Sequence, residues 1–200
     1  MNILNVIKKY FSQFLRKKEV FTEKKLVVDY DYVANLIKSK YFKYVGISEQ
    51  TGNNDHPVIY ELVLSEHGKK GESYCAYLTS HCIYLTCLDL GINYPKSIYR
   101  GGSSQSFWHE SDDKYKHILK PKLGLCFVHQ LIEDKNRGHI GYCTSEIKES
   151  FYDTVEGNTD NMIKTRSDRS LNGTTTKKHL GFLDVAQAVL DQYNLKQSLP

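Results

Sequence analysis

The sequence predicts an α+β domain in which helices come first and antiparallel strands follow. Two observations carry this. Helical patterns mark the first half, with apolar side chains at Tyr32, Val33, Leu36, Ile37 and Tyr41 and a stretch from Cys75 to Leu90 that is apolar almost all round. From Leu123 onward the pattern changes to short apolar runs separated by turn residues, which read as strands. With 200 residues, 40% of them hydrophobic and 12% aromatic, the chain can bury one real core and carry a short appendage.

The appendage is residues 1–25, and the domain is 26–200. Ile3, Leu4, Ile7, Phe11, Phe14 and Leu15 share one helical face, while Lys8, Lys9, Ser12, Arg16 and Lys17 fall on others. Residues 2–18 therefore read as an amphipathic basic helix, suited to docking on its own domain or a partner protein, or to a membrane surface. A charged linker, Lys17–Lys25, follows. The same polar residues interrupt any apolar core of a secretory signal, and no apolar run approaches the roughly 18 residues of a spanning helix. The expectation is synthesis in the cytoplasm without a signal peptide, and action elsewhere only after release or delivery.

The remaining elements follow in order. A helix is expected over residues 29–42. Gly52-Asn53-Asn54-Asp55 is a turn, with Asp55 as N-cap of a helix running to about Glu66. A buried helix runs from Cys75 to Leu90, stopped by Gly91. Residues 93–120 read as polar and turn-rich around Trp108. Strands are expected from Leu125 to near Glu133, His139 to Thr144, Phe151 to Glu156, Met162 to Arg166 and His179 to Leu183. A closing helix takes Asp184 to Tyr193.

Composition excludes some chemistries. The formal charge of +4 suits an anionic partner without choosing among cell wall, lipid headgroups and nucleic acid. No nucleic-acid recognition motif accompanies the charge, so no nucleic-acid partner is expected. Five cysteines, at 75, 82, 87, 126 and 143, form no C-x-x-C pair, against a disulfide framework or a zinc ribbon. Four read as small core residues. His81, His109, His117, His129 and His179 lack metal-ligand spacing and read as surface or locally satisfied side chains. No metal and no cofactor is expected.

Four positions carry chemistry. Cys75 opens a helix, where unpaired N–H groups and the macrodipole favour a thiolate. His139 shares a strand face with Gly141 and Cys143, and Glu156 shares one with Asn158. If those strands lie side by side, His139 can take the thiol proton while Glu156 or Asn158 holds its other ring nitrogen. The backbone N–H of Cys75 is a natural oxyanion donor. Cys82, two helical turns on, is a rival but deeper thiol. Asn54, Tyr74 and Trp108 are candidates for the substrate cleft.

The stretch from Tyr44 to Asp55, followed by Ser73-Tyr74-Cys75-Ala76-Tyr77, resembles the opening of CHAP-type members of the NlpC/P60 superfamily. Those run G-x-x-E-x-x-G-x-N-x-G and then an aromatic-Cys-Ala segment. Gly138-His139-Ile140-Gly141, Val155-Glu156-Gly157-Asn158-Thr159 and Gly181-Phe182-Leu183-Asp184-Val185 resemble later motifs of that family, in the same order, over roughly residues 29–186. Tyr77-Leu78, Leu123-Gly124-Leu125-Cys126 and His56 depart from its pattern. The resemblance implies a papain-like fold and a cysteine hydrolase of amide bonds in bacterial peptidoglycan, an amidase or endopeptidase. Cys75 would be the nucleophile, His139 the base, and Glu156 with Asn158 the polar third position. The acidic calcium loop of some members is absent before Cys75, which implies metal independence. A phage lytic enzyme or an injected effector fits. The alternatives are a non-catalytic wall-binding or virion module of the same fold, or a thiol amidase or protease acting on another substrate.

Overall fold

The computed structural model describes residues 27–118, 120–145 and 151–199, and within them five α-helices and one six-stranded antiparallel sheet. The expected helix over residues 2–18 and the linker behind it lie outside the described residues. The helices are α1 (Tyr30–Phe42), α2 (Pro57–Ser65), α3 (Cys75–Asp89), α4 (Ser104–His109) and α5 (Val185–Gln197). The strands are β1 (Lys116–His117), β2 (Leu125–Leu131), β3 (Gly138–Cys143), β4 (Phe151–Thr159), β5 (Met162–Ser170) and β6 (Lys177–Asp184), in the spatial order β1-β6-β2-β3-β4-β5.

Helix α1 buries Val33, Ala34, Ile37 and Tyr41, and the Asp29 carboxylate caps it from Tyr32 N at 2.8 Å. Helix α3 is buried on almost every side and packs against α1, α2, β3 and β4, which fixes the direction of its N-terminus. It ends in a Schellman motif: Ile92 N donates to Cys87 O and Gly91 N to Leu88 O, with Gly91 at φ +63°. Beneath the helices one face of the sheet supplies Cys126, Val128, Ile140, Tyr142, Val155 and Leu183 to the main core. The opposite face carries a second cluster of Leu125, Phe127, Cys143, Tyr152 and Phe182.

The structure corrects several local expectations. His56, not Asp55, caps α2: its Nδ1 accepts from Val58 N at 3.2 Å, and Pro57 sits in the first turn, where a missing N–H costs nothing. Asp55 instead ties its own loop. Its carboxylate accepts from Thr51 Oγ1 at 2.6 Å and from the backbone N–H groups of Thr51 and Gln50, and Thr51 chiefly holds its pKa down to about 2. The segment 93–120 contains α4, capped by Ser103, and a 3-10 turn at Asp113–Tyr115 leading into β1. Strands β4 and β5 run longer than expected. They meet at Asp160-Asn161, both at positive φ as a two-residue type I′ hairpin turn requires.

Candidate active site

The N-terminus of α3 brings Cys75 to β3, and the β3–β4 pairing brings His139 to Glu156. Ring atom Nε2 of His139 lies 2.8 Å from Glu156 Oε2. The same ring interacts with the Cys75 thiol, each shifting the other's pKa, and with Nε2 engaged by Glu156 it is Nδ1 that is left for the thiol. The thiol and ring are each 6% exposed, enough to border an open cleft of about 470 Å³. A larger groove of about 820 Å³, between the Asn93–Ser97 turn and α5, is lined by no cysteine and no histidine.

Glu156 is fully buried and ringed by donors. The Arg169 guanidinium grips both carboxylate oxygens, with Nε 2.5 Å from Oε1. Thr154 Oγ1 donates to Oε1, and Thr159 Oγ1 donates to Oε2 at 2.8 Å. Thr159 Oγ1 is also 3.2 Å from His139 Nε2. Burial opposes ionisation of the carboxyl, but His139 and Arg169 outweigh it and hold the group far below the usual carboxylate range. For His139 burial alone favours the neutral ring; hydrogen bonds to Cys75 and Glu156 reverse this and raise its pKa to about 9. Burial likewise pushes the Cys75 thiol up, and the hydrogen bond and charge of His139, with the N–H groups of Ile140 and Ala76, bring it below the ordinary value. When the Cys75–His139 pair carries its charges, the four groups alternate in sign: thiolate, imidazolium, carboxylate, guanidinium.

No family model matches this sequence, and no curated protein or solved structure matches it either.

Of the four residues expected to act together, three meet. Asn158 does not reach the imidazole. A pairing irregularity between Glu156 and Thr159, with Asn158 at φ +57°, breaks the strand alternation that placed it beside Glu156. Its amide donates instead to Ser73 Oγ at 2.5 Å, at the lip of the cleft. The three residues expected in the cleft are elsewhere. Asn54 ties its loop through Gly71 O and Glu49. Tyr74 is wholly buried, its hydroxyl pKa raised by burial and by the charge of Glu49. Trp108 lies against β6, where a Cβ on Gly181 would strike its ring.

Arg169, Thr154 and Thr159 were not foreseen. Ending β5 near Arg166 left Arg169 outside the sheet, whereas the observed register sets it opposite Tyr152 on β4. The expectation for two histidines also fails. His129 and His179 are cross-strand partners whose ring nitrogens are buried with no hydrogen-bond partner among the described residues. Among those residues, no group of three or more His, Cys, Asp or Glu side chains could hold a metal ion, and no helix is long and apolar enough to cross a membrane.

Proposed function

We propose that the chain is a cysteine hydrolase of amide bonds, with a papain-like arrangement of its helix and sheet and with peptidoglycan as substrate. One observation carries the chemistry: a thiol at a helix N-terminus, lowered by an imidazole that a buried carboxylate orients, at the wall of an open cleft. The substrate class rests on the motifs around Cys75, His139 and Glu156. The Cys75 thiolate attacks the amide carbonyl carbon. The oxyanion meets the free N–H at the start of α3, and the Asn158 amide stands on the same lip as second donor. The tetrahedral intermediate collapses as His139 gives its proton to the leaving amine, and a thioester remains. His139 then takes a proton from water, hydroxide attacks the thioester, and the carboxylic product leaves with the thiol restored. Glu156 stabilises the imidazolium throughout, and Arg169 keeps Glu156 ionised. Such an enzyme would act on the wall after release or delivery, as a phage lytic enzyme or an injected effector does.

The test is digestion of purified sacculi. The wild-type protein releases new amino groups, and Cys75→Ala releases none. A wild-type protein that binds sacculi and releases nothing would assign the fold to a non-catalytic wall-binding role.

A further inference from the structure

The catalytic chain of charges sums to zero, yet the cleft is not neutral. Two cations line it, Arg137 and Lys177, and no Asp or Glu does so among the described residues. The sheet register explains their meeting. Leu131 on β2 pairs with Lys177 on β6, and on its other side Leu131 N donates to Arg137 O at 2.8 Å. Arg137 and Lys177 thus flank Leu131, with backbones about 9.5 Å apart across two strand spacings. Side chains alternate along a strand, so Arg137 shares the face of His139, two residues and about 7 Å away. Neither cation has an ion-pair partner among the described residues. Lys177 is half-buried, and burial and the Arg169 guanidinium depress its pKa against the opposing charges of Glu156 and Cys75. An unpaired, partly desolvated ammonium beside a second cation is an electrostatic cost that a bound anion would relieve.

We propose that Arg137 and Lys177 form a carboxylate subsite, so that the amide cleaved at Cys75 belongs to a substrate with a free carboxylate within about two residues of the scissile carbonyl. This rests on the hydrolase reading above. The reach supports it: a group held between the two side chains lies about two residues' length, roughly 7–8 Å, from His139. Neutral donors on the same walls, Ser73 and Asn136, suit the polar backbone of such a substrate.

The test separates the two ideas by using small electrophiles instead of a substrate. Iodoacetate and iodoacetamide alkylate the same thiolate and differ by one negative charge. Their rate ratio at Cys75, mapped by mass spectrometry, cancels any change in the thiolate population. In the double variant Arg137→Gln/Lys177→Gln the ratio of iodoacetate to iodoacetamide should fall about fivefold, as charges roughly 7 and 12 Å away predict in a solvated cleft. The charge-conserving Arg137→Lys/Lys177→Arg variant should retain it, and added salt should shrink the wild-type ratio. Brisk alkylation by both reagents with the same ratio in wild type and double variant overturns the subsite and leaves the hydrolase intact. A Cys75 that neither reagent labels overturns the hydrolase and the subsite with it. The source of the carboxylate is read from two pairs of peptides. One pair ends in a free α-carboxylate or its amide, and the other carries glutamate or glutamine beside the cleaved bond. A preference for the acid in either pair identifies the source, and none in both overturns the proposal.

Discussion

Burial drives the thiols of Cys82, Cys126 and Cys143 far up and that of Cys87 to about 12, whereas burial pushes Cys75 up too but His139 brings it down. Nucleophilicity in this chain is thus a property of one position. Cys75→Ala and His139→Ala should each abolish hydrolysis, and the double variant should be no worse, because the two act as a unit. Glu156→Gln should lower kcat/KM by roughly a hundredfold or more, since an amide cannot stabilise the imidazolium as a carboxylate does. Asn158→Ala should lower kcat less, with KM little changed, as an oxyanion donor lost at the cleft lip would. Equal losses at positions 156 and 158 would contradict the separate roles assigned to them. The pH profile follows from the same groups. With His139 raised to about 9, kcat/KM should hold a plateau from the depressed thiol pKa upward and fall as pH passes about 9. In Glu156→Gln that alkaline limb should move to lower pH.

At the scale of elements, strands β3, β2 and β6 set His139, His129 and His179 in one cross-strand row. The last two are held neutral. Burial, followed by the charges of His179, Arg169 and His139 and opposed by Glu156, brings His129 to about 3, and burial brings His179 to about 4. Each binds fewer protons folded than unfolded once pH drops below the unfolded value near 6.5. Their share of stability is therefore complete above that pH and is lost as pH falls through about 4 and then about 3. His139 runs the other way: its share is complete below about 6.5 and is lost as pH rises through about 9. His129→Leu and His179→Leu should each shift the acid-unfolding midpoint followed by circular dichroism to lower pH. An unchanged midpoint would mean that the pair is not what limits acid stability.

The same elements show what the sequence discloses. Helix α1 was legible because its apolar positions recur at helical spacing, and α3 because a long, nearly all-round apolar run ends at Gly91, a left-handed C-cap residue. Strands β2 and β3 were legible as apolar runs about a hairpin. Helix α4 was not, because in Ser104–His109 only Phe107 is a buried apolar residue and no period can show. The Cys75–His139–Glu156 set could be read from residue types and strand alternation. The departure of Asn158 could not, since an irregularity in β4 leaves no mark in an alternating pattern, and the Arg169 contact depends on a long-range register.

The whole molecule couples its helices and sheet through one main core, so the site is only as firm as the packing of α3 against β3 and β4. Arg169 joins that packing to the charge network. Arg169→Ala should cost about 3 kcal/mol or more in urea unfolding, because it leaves Glu156 buried with one charge partner fewer. Every residue of the proposed catalytic set lies between Ser73 and Lys177. Removing residues 1–20 should therefore leave turnover on soluble muropeptides nearly unchanged, while any loss of membrane or partner binding would assign a role to that segment.

The account turns on a thiolate–imidazolium pair at Cys75 and His139. Iodoacetamide alkylation of the native protein from pH 5 to 9, resolved cysteine by cysteine by mass spectrometry, reads that pair directly. Cys75 should react first and remain reactive well below the ordinary thiol pKa, and His139→Ala should move its titration upward, while Cys82, Cys87, Cys126 and Cys143 stay silent until the protein unfolds. Uniformly slow labelling of all five, or a Cys75 titration indifferent to His139, would contradict it.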